Sequence, residues 1–152
     1  MDLAESILNN ETFIASILSW FVAQCLKVVH TLIIDKRFNV SRFVGSGGMP
    51  SSHSAFVMGL TTAIGLTHGF DSSTFSMSLV FSLVIMYDAA GVRHAVGKQA
   101  AIINKIIEDI HNRKEKKITE KRLKELIGHT PIEVLAGAIL GIIIANLVIW
   151  FW

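Results

Sequence analysis

One cysteine in 152 residues, Cys25, excludes an internal disulfide. Basic residues are missing from the first dozen positions, where Asp2, Glu5 and Glu11 stand instead, so no cleavable signal peptide is expected there. No charged residue follows Glu133. The run IEVLAGAILGIIIANLVIWFW from Ile132 therefore argues against a small soluble helical bundle, because a domain of this size cannot enclose it. What is present is apolar: 51% of residues are hydrophobic and the mean hydropathy is +0.53. The polar residues are gathered into two stretches rather than spread along every helix, as a soluble surface requires.

Roughly 20 apolar residues cross a bilayer as a helix, and only a helix or a closed barrel satisfies the backbone there. Four stretches approach that length: Phe13 to Ile34, Ser54 to about Phe70, Thr74 to Tyr87 if continued through Asp88 to Val92, and Ile132 to Trp152. The expected fold is all-α, a polytopic membrane helical bundle of about four spans forming one domain over residues 1–152. A basic amphipathic insert, residues 93–128, lies within it. Ile102, Ile103, Ile106, Ile107 and Ile110 recur at helical spacing between Gly97 and Ile127. They predict a helix lying at the interface, a polar turn near His111 to Lys117, and a second short helix from Thr119 to Ile127.

All but one of the 14 basic residues fall in two loops. Lys36, Arg37 and Arg42 follow the first stretch, and ten more lie between the third and the fourth. The positive-inside rule assigns both loops to the cytoplasm and both termini to the outside, and a bacterial plasma membrane is the expected location. Acidic residues alternate with the lysines and no reading motif accompanies them, so nucleic acid is not an expected partner.

Three segments carry chemistry. In GSGGMPSSHSA, Gly45 to Ala55, glycines that include Gly47 and Gly48 leave N–H groups free to form an anion-binding concavity. Pro50 suits the first helical turn, the helix N-terminus favours phosphate, and Ser51, Ser52 and Ser54 add hydroxyls. His53, one turn in, is positioned to donate a proton. In GHTPIEV, Thr130, Pro131 and Glu133 form a helix start in which Glu133 is the reciprocal carboxylate of a capping box. His129 beside it has the arrangement of an imidazole oriented by a carboxylate, a nucleophile or base. In DAAGVRHAVGKQA, Asp88 ends a span with Arg93 as its nearest partner. The two read either as a plain interfacial ion pair or as a phosphate clamp with its support. Lys98 either reaches a headgroup phosphate or snorkels, and His94 reads as a solvated neighbour. Lys27 lies about two turns inside the first span, where it either snorkels or brings a point charge to the site. Gln24 and His30 read as helix-packing or interfacial residues, while His68, Asp71 and His111 fall outside the site. The pairs Gly59 and Gly65, and Gly137 and Gly141, give close-approach faces through which a homodimer is one expectation.

The blocks GGMPSSHSAFV, YDAAGVRHAVGKQA and LKELIGHTPIEVLAGAILG, in this order over nearly the whole chain, resemble the divergent branch of the type-2 phosphatidic acid phosphatase superfamily. That group of membrane proteins is akin to acid phosphatases and vanadium haloperoxidases. The resemblance implies a cofactor-free, metal-independent phosphomonoesterase acting through a phosphohistidine on a membrane lipid. Pro50, Ser51, Ser52 and His53 match the Pro-Ser-x-His motif, which would make His53 the general acid. His129 and Glu133 match the final His and acid, with Glu for Asp, as nucleophile and its orienter. Arg122 is one position too far away for the motif's arginine, so Arg93 is the candidate clamp. The superfamily's first motif is absent and Lys27 is the candidate substitute for its lysine. Two other classes stay open: a Mg2+-dependent lipid phosphotransferase or cytidylyltransferase-like enzyme with Asp88, His129 and Glu133 as ligands, and a non-catalytic lipid-phosphate binder or scaffold.

Overall fold

The computed structural model describes residues 2–35, 48–113, 123 and 128–152. Among the described residues every regular element is a helix: α1 (Leu3–Leu8), α2 (Glu11–Asp35), α3 (Ser52–His68), α4 (Ser73–Ala90), α5 (Val92–Arg113) and α6 (Pro131–Phe151). Side-chain oxygens start four of them. The Phe13 N–H donates to Asn10 Oδ1, the Ser54 N–H to Ser51 Oγ, the Phe75 N–H to Ser72 Oγ and the Glu133 N–H to Thr130 Oγ1. Each meets an orphan donor of a first turn.

Among the described residues three stretches are long and apolar enough to cross a membrane: Glu11–Ile33, Ser73–Ile110 and Pro131–Phe151. The second of the four expected spans falls short of that length. α3 has 17 residues, and it is the packed centre of the bundle, against α2, α4 and α6. Its buried face is small and polar, with Ser54, Ala55, Gly59, Thr61 and Ala63 among its members. Enclosed by other helices, it has no need of the large apolar side chains that lipid contact demands.

The bundle is apolar outside and small inside. Its buried apolar residues are alanines, among them Ala15, Ala23, Ala55, Ala63, Ala138 and Ala145, with the valines Val57 and Val134 and buried serines and threonines between them, whereas Met77, Val80, Phe81, Ile139 and Ile143 are exposed. A soluble protein sorts these types the other way. Helices in lipid gain nothing by hiding leucine, so close backbone approach and hydroxyl bonds hold them together. Thr61 Oγ1 lies 2.7 Å from Ser78 Oγ and 2.8 Å from Ser82 Oγ, and the Ser82 hydroxyl donates to the Val57 carbonyl at 3.1 Å.

α3 and α6 run parallel. Gly137 packs on the Ser51 carbonyl and Gly141 on that of Ala55, where a β-carbon would collide with backbone, and the Ser51 N–H donates to the Glu133 carbonyl at 3.0 Å. α2 runs antiparallel to both, with Ser19 against Gly59. The four glycines expected to offer faces for a second copy are thus occupied within one chain, Gly65 by the ring of Phe70.

Two boundaries differ from expectation. The third span stops at Ala90, because Gly91 leaves helical geometry (φ −98°, ψ −90°). The amphipathic helix then begins at Val92 rather than Gly97, so Arg93 and His94 belong to its first turn. The second short helix expected at Thr119 to Ile127, and the basic residues Lys36, Arg37 and Arg42, lie outside the described residues, apart from Leu123.

Candidate active site

Four elements bring polar groups to one end of the bundle: the last third of α2, the start of α3, the junction of α4 with α5, and the turn into α6. At their meeting point His53, Ile85, Ala89, Arg93, Gly128 and His129 line a cavity of about 20 Å³, room for roughly one water.

His129 is the most constrained residue there, with 3% of its surface exposed. Its backbone N–H donates to the Ala89 carbonyl at 3.0 Å. Preceding it, Gly128 adopts φ +90° and lies against the Arg93–His94 backbone, where any side chain would collide. The ring is therefore fixed from both sides of the α4–α5 junction. Nδ1 lies 3.4 Å from Glu133 Oε2, while Nε2 is buried and has no hydrogen-bond partner among the described residues. A carboxylate facing Nδ1 favours the tautomer with its proton there, which leaves the Nε2 lone pair available. Burial, and then the charge of Lys27, hold this imidazole below its ordinary value; Glu133 opposes them and His53 adds to the lowering. The ring is neutral at pH 7.

Glu133 serves two partners with one oxygen. Oε2 accepts the Thr130 N–H at 2.9 Å as part of a complete capping box and also faces His129. The capping and orienting readings of Glu133 therefore coexist, with the shorter bond going to the cap.

His53 is exposed in the first turn of α3 and shares the cavity with His129. Pro50 precedes the Ser51 cap instead of occupying the first turn, because the helix begins at Ser52. Ser51 and Ser54 are fully buried and bonded to each other, Ser54 Oγ to Ser51 Oγ at 3.0 Å, so their hydroxyls complete the cap. Ser52, also buried, faces Lys27, whose Nζ lies 3.5 Å from Ser52 Oγ. Gly48 covers the stem of Lys27, and Gly47 lies outside the described residues. The snorkelling reading of Lys27 is corrected: the side chain is 2% exposed and turns into the bundle toward α3 rather than out to the interface.

Arg93 is bonded through Nε to Asp88 Oδ2 at 2.6 Å across the Gly91 break. Both side chains are substantially exposed, so the pair contributes little to stability, but the bond leaves the two terminal nitrogens of the guanidinium beyond it. Lys98 stands exposed on α5 away from the cavity. Asp88, His129 and Glu133 are not gathered as metal ligands: among the described residues no three His, Cys, Asp or Glu side chains converge. Asp88 is drawn to Arg93 and Glu133 to the cap.

Parallel helices α3 and α6 both start at this end, so two positive dipole ends adjoin Lys27 and Arg93, while the α6 cap already takes the N–H groups of Thr130 and Glu133 and Pro131 has none. The combination suits an anion beside the buried His129. Sequence reasoning did not single out the Ala89 carbonyl, which has no side-chain signature, nor Gly128, whose position directly before a histidine and a helix cap was the available signal.

Residues 8–144 match the family described as the Divergent PAP2 family. The chain is similar to the uncharacterized membrane protein YuiD of Bacillus subtilis (strain 168), with 38% identity over 155 residues that cover 96% of this chain and 98% of that one. No solved structure matches it.

Proposed function

Since this membrane protein belongs to the Divergent PAP2 family, we propose that it is a lipid phosphate phosphatase that works through a phosphohistidine on His129. The observation that carries the reading is the buried Nε2 of His129, without a hydrogen-bond partner among the described residues, with a carboxylate at Nδ1. A structural histidine spends both nitrogens, whereas a nucleophile keeps one for the substrate.

In the proposed cycle the phosphate sits against the starts of α3 and α6, between Lys27 and Arg93. His129 Nε2 attacks phosphorus, the bond to the leaving oxygen breaks, and protonated His53 gives that oxygen its proton. Nδ1–H turns toward Glu133, which stabilises the positive charge gained by the ring. Water then attacks the phosphohistidine, neutral His53 takes its proton, and phosphate leaves with His129 restored. The helix starts and the two cations counter charge on the equatorial oxygens. The cavity holds only about one water, so binding requires the exposed Arg93 to swing aside. The basic loops and this end of the bundle belong on the cytoplasmic side with both termini outside. The substrate keeps its acyl or isoprenyl tail in the leaflet, as phosphatidate, phosphatidylglycerophosphate and prenyl phosphates all do.

The test is phosphate release from such lipids by purified protein, with and without EDTA, beside His129→Ala. Release that survives EDTA and disappears in the variant is expected. Release abolished by EDTA transfers the case to a metal-dependent phosphotransferase, and lipid-phosphate binding without turnover transfers it to a non-catalytic binder.

A further inference from the structure

α5 carries three distinct stripes. Gly97, Ala100 and Asn104 form a buried one, bonded to Leu123: the Asn104 carboxamide donates to the Leu123 carbonyl at 2.8 Å and accepts from the Leu123 N–H at 3.0 Å. Lys98 and Lys105, both exposed, lie with half-buried Ala101 on a second stripe. The third holds Val92, Val96, Ile102, Ile103, Ile106 and Ile110, each 41 to 61% exposed. Large β-branched side chains held in water on one helix face are costly, at about 25 cal/mol for each Å² of apolar surface.

Length shows what this face meets. Ser73–Ile110 is apolar enough to be one span of 38 residues, but as a single helix it would be about 57 Å long against a hydrocarbon core of about 30 Å. α4 alone, with 18 residues, extends about 27 Å and uses up the crossing. The chain then breaks at Gly91 and restarts, so α5 begins at bilayer depth, next to the exposed apolar residues Val84 and Tyr87 of α4. Residues 93–128 contain ten basic residues against five acidic ones, a net charge of +5.

We infer that the apolar stripe of α5 seats in the leaflet beside the active-site end of the bundle, and that this leaflet is anionic. The helix lies in the interface with Lys98 and Lys105 toward the headgroups. The lipid-seated face and the face bonded to Leu123 are adjacent on one rigid helix, whose first turn also carries Arg93. The bilayer thus fixes the element that carries the clamp arginine. This inference rests on the membrane nature of the chain and is independent of its chemistry.

The test uses the full chain with Cys25→Ser in phosphatidylcholine vesicles with and without phosphatidylglycerol. An environment-sensitive fluorophore is attached in turn at Ile103→Cys, Ile106→Cys, Ala101→Cys and Lys105→Cys. Labels at 103 and 106 are expected to be quenched several-fold more by nitroxide-bearing lipid than by aqueous iodide, and those at 101 and 105 the reverse. The lipid quenching at 103 and 106 should also fall when phosphatidylglycerol is left out or salt is raised to 1 M. Iodide quenching that is equal on both faces overturns the seating. Protection of 103 and 106 from both quenchers also overturns it, since protein such as a second copy then covers the face. Seating that is indifferent to phosphatidylglycerol and salt overturns the anionic part.

Discussion

The Thr130 N–H and His129 Nδ1 compete for Oε2 of Glu133, and the distances, 2.9 Å and 3.4 Å, show which partner holds it in the resting protein. The cap holds the bond because it is reciprocal: the Glu133 N–H donates to Thr130 Oγ1 while Oε2 accepts the Thr130 N–H. In the proposed cycle the order reverses once His129 gains positive charge, because a charge-assisted bond is roughly twice as strong as a neutral one. Under that proposal Glu133 serves the transition state more than the ground state.

Glu133→Gln tests that division. Glutamine can still cap, so the thermal midpoint should fall by no more than the equivalent of about 1 kcal/mol. It cannot answer a charged imidazole, so kcat should drop on the order of 100-fold or more with KM little changed. A midpoint loss without a loss of kcat would leave Glu133 a cap alone.

Lys27→Met tests the pH behaviour. The proposed cycle uses His129 as the neutral base, and its pKa lies below the ordinary value of about 6.5, first through burial and next through Lys27. The acid limb of kcat/KM therefore lies below that value in the native protein. Removing Lys27 moves it upward, toward about 6.5. The same shift has a stability counterpart: the native state binds fewer protons at His129 than the unfolded chain does. Stability from this residue is complete above about pH 6.5 and is lost as pH falls through the lowered native pKa. A limb unmoved by Lys27→Met would remove Lys27 from the electrostatics of the site.

Arg93→Lys keeps the charge and loses the fork. The bond to Asp88 uses Nε, an atom lysine lacks, so the ammonium has no equivalent way to be held by Asp88 while presenting two donors elsewhere. Loss of about 1.5–3 kcal/mol of charged hydrogen bonding corresponds to a rise in KM of roughly 10- to 100-fold. Steady-state kinetics on a soluble short-chain lipid phosphate would read it.

Gly137→Ala probes the parallel helix pair. The new methyl group meets the Ser51 carbonyl, which is backbone and cannot rotate away. Separation of α3 from α6 should cost about 1–3 kcal/mol, read as a lower thermal midpoint in detergent, and it also moves His53 away from His129. An unchanged midpoint would show that the two starts do not abut.

The helices that face lipid were legible because bilayer contact imposes length and apolarity on them: Phe13 to Ile34 became Glu11–Asp35, and Ile132 to Trp152 became Pro131–Phe151. α3 was less legible because it answers to other helices instead, and its Ser, Thr and Gly content records close packing rather than depth. Within the site, His129, Glu133 and the Asp88–Arg93 pair could be read from local spacing, since each partner lies within five residues of the other. The inward turn of Lys27 could not be, because it depends on Ser52 and Gly48, which reach it only when α2 and α3 pair. Ser51 and Ser54 show the opposite difficulty. A hydroxyl in a glycine-rich segment has the same signature whether it serves a ligand or, as here, its neighbour.

The parallel arrangement of α3 and α6 also sets an order of assembly. Two neighbouring helices of one chain can point the same way only if the chain travels back between them, and α4 makes that return. Synthesis therefore delivers His53 well before His129, with an entire membrane crossing and the α5 segment in between. Until the last helix enters, Ser51 lacks the carbonyl of Glu133 and the buried ammonium of Lys27 has no completed pocket to serve. A chain interrupted between Arg93 and Gly128 thus has the cations and the first histidine in place but lacks His129, on which the proposed chemistry rests.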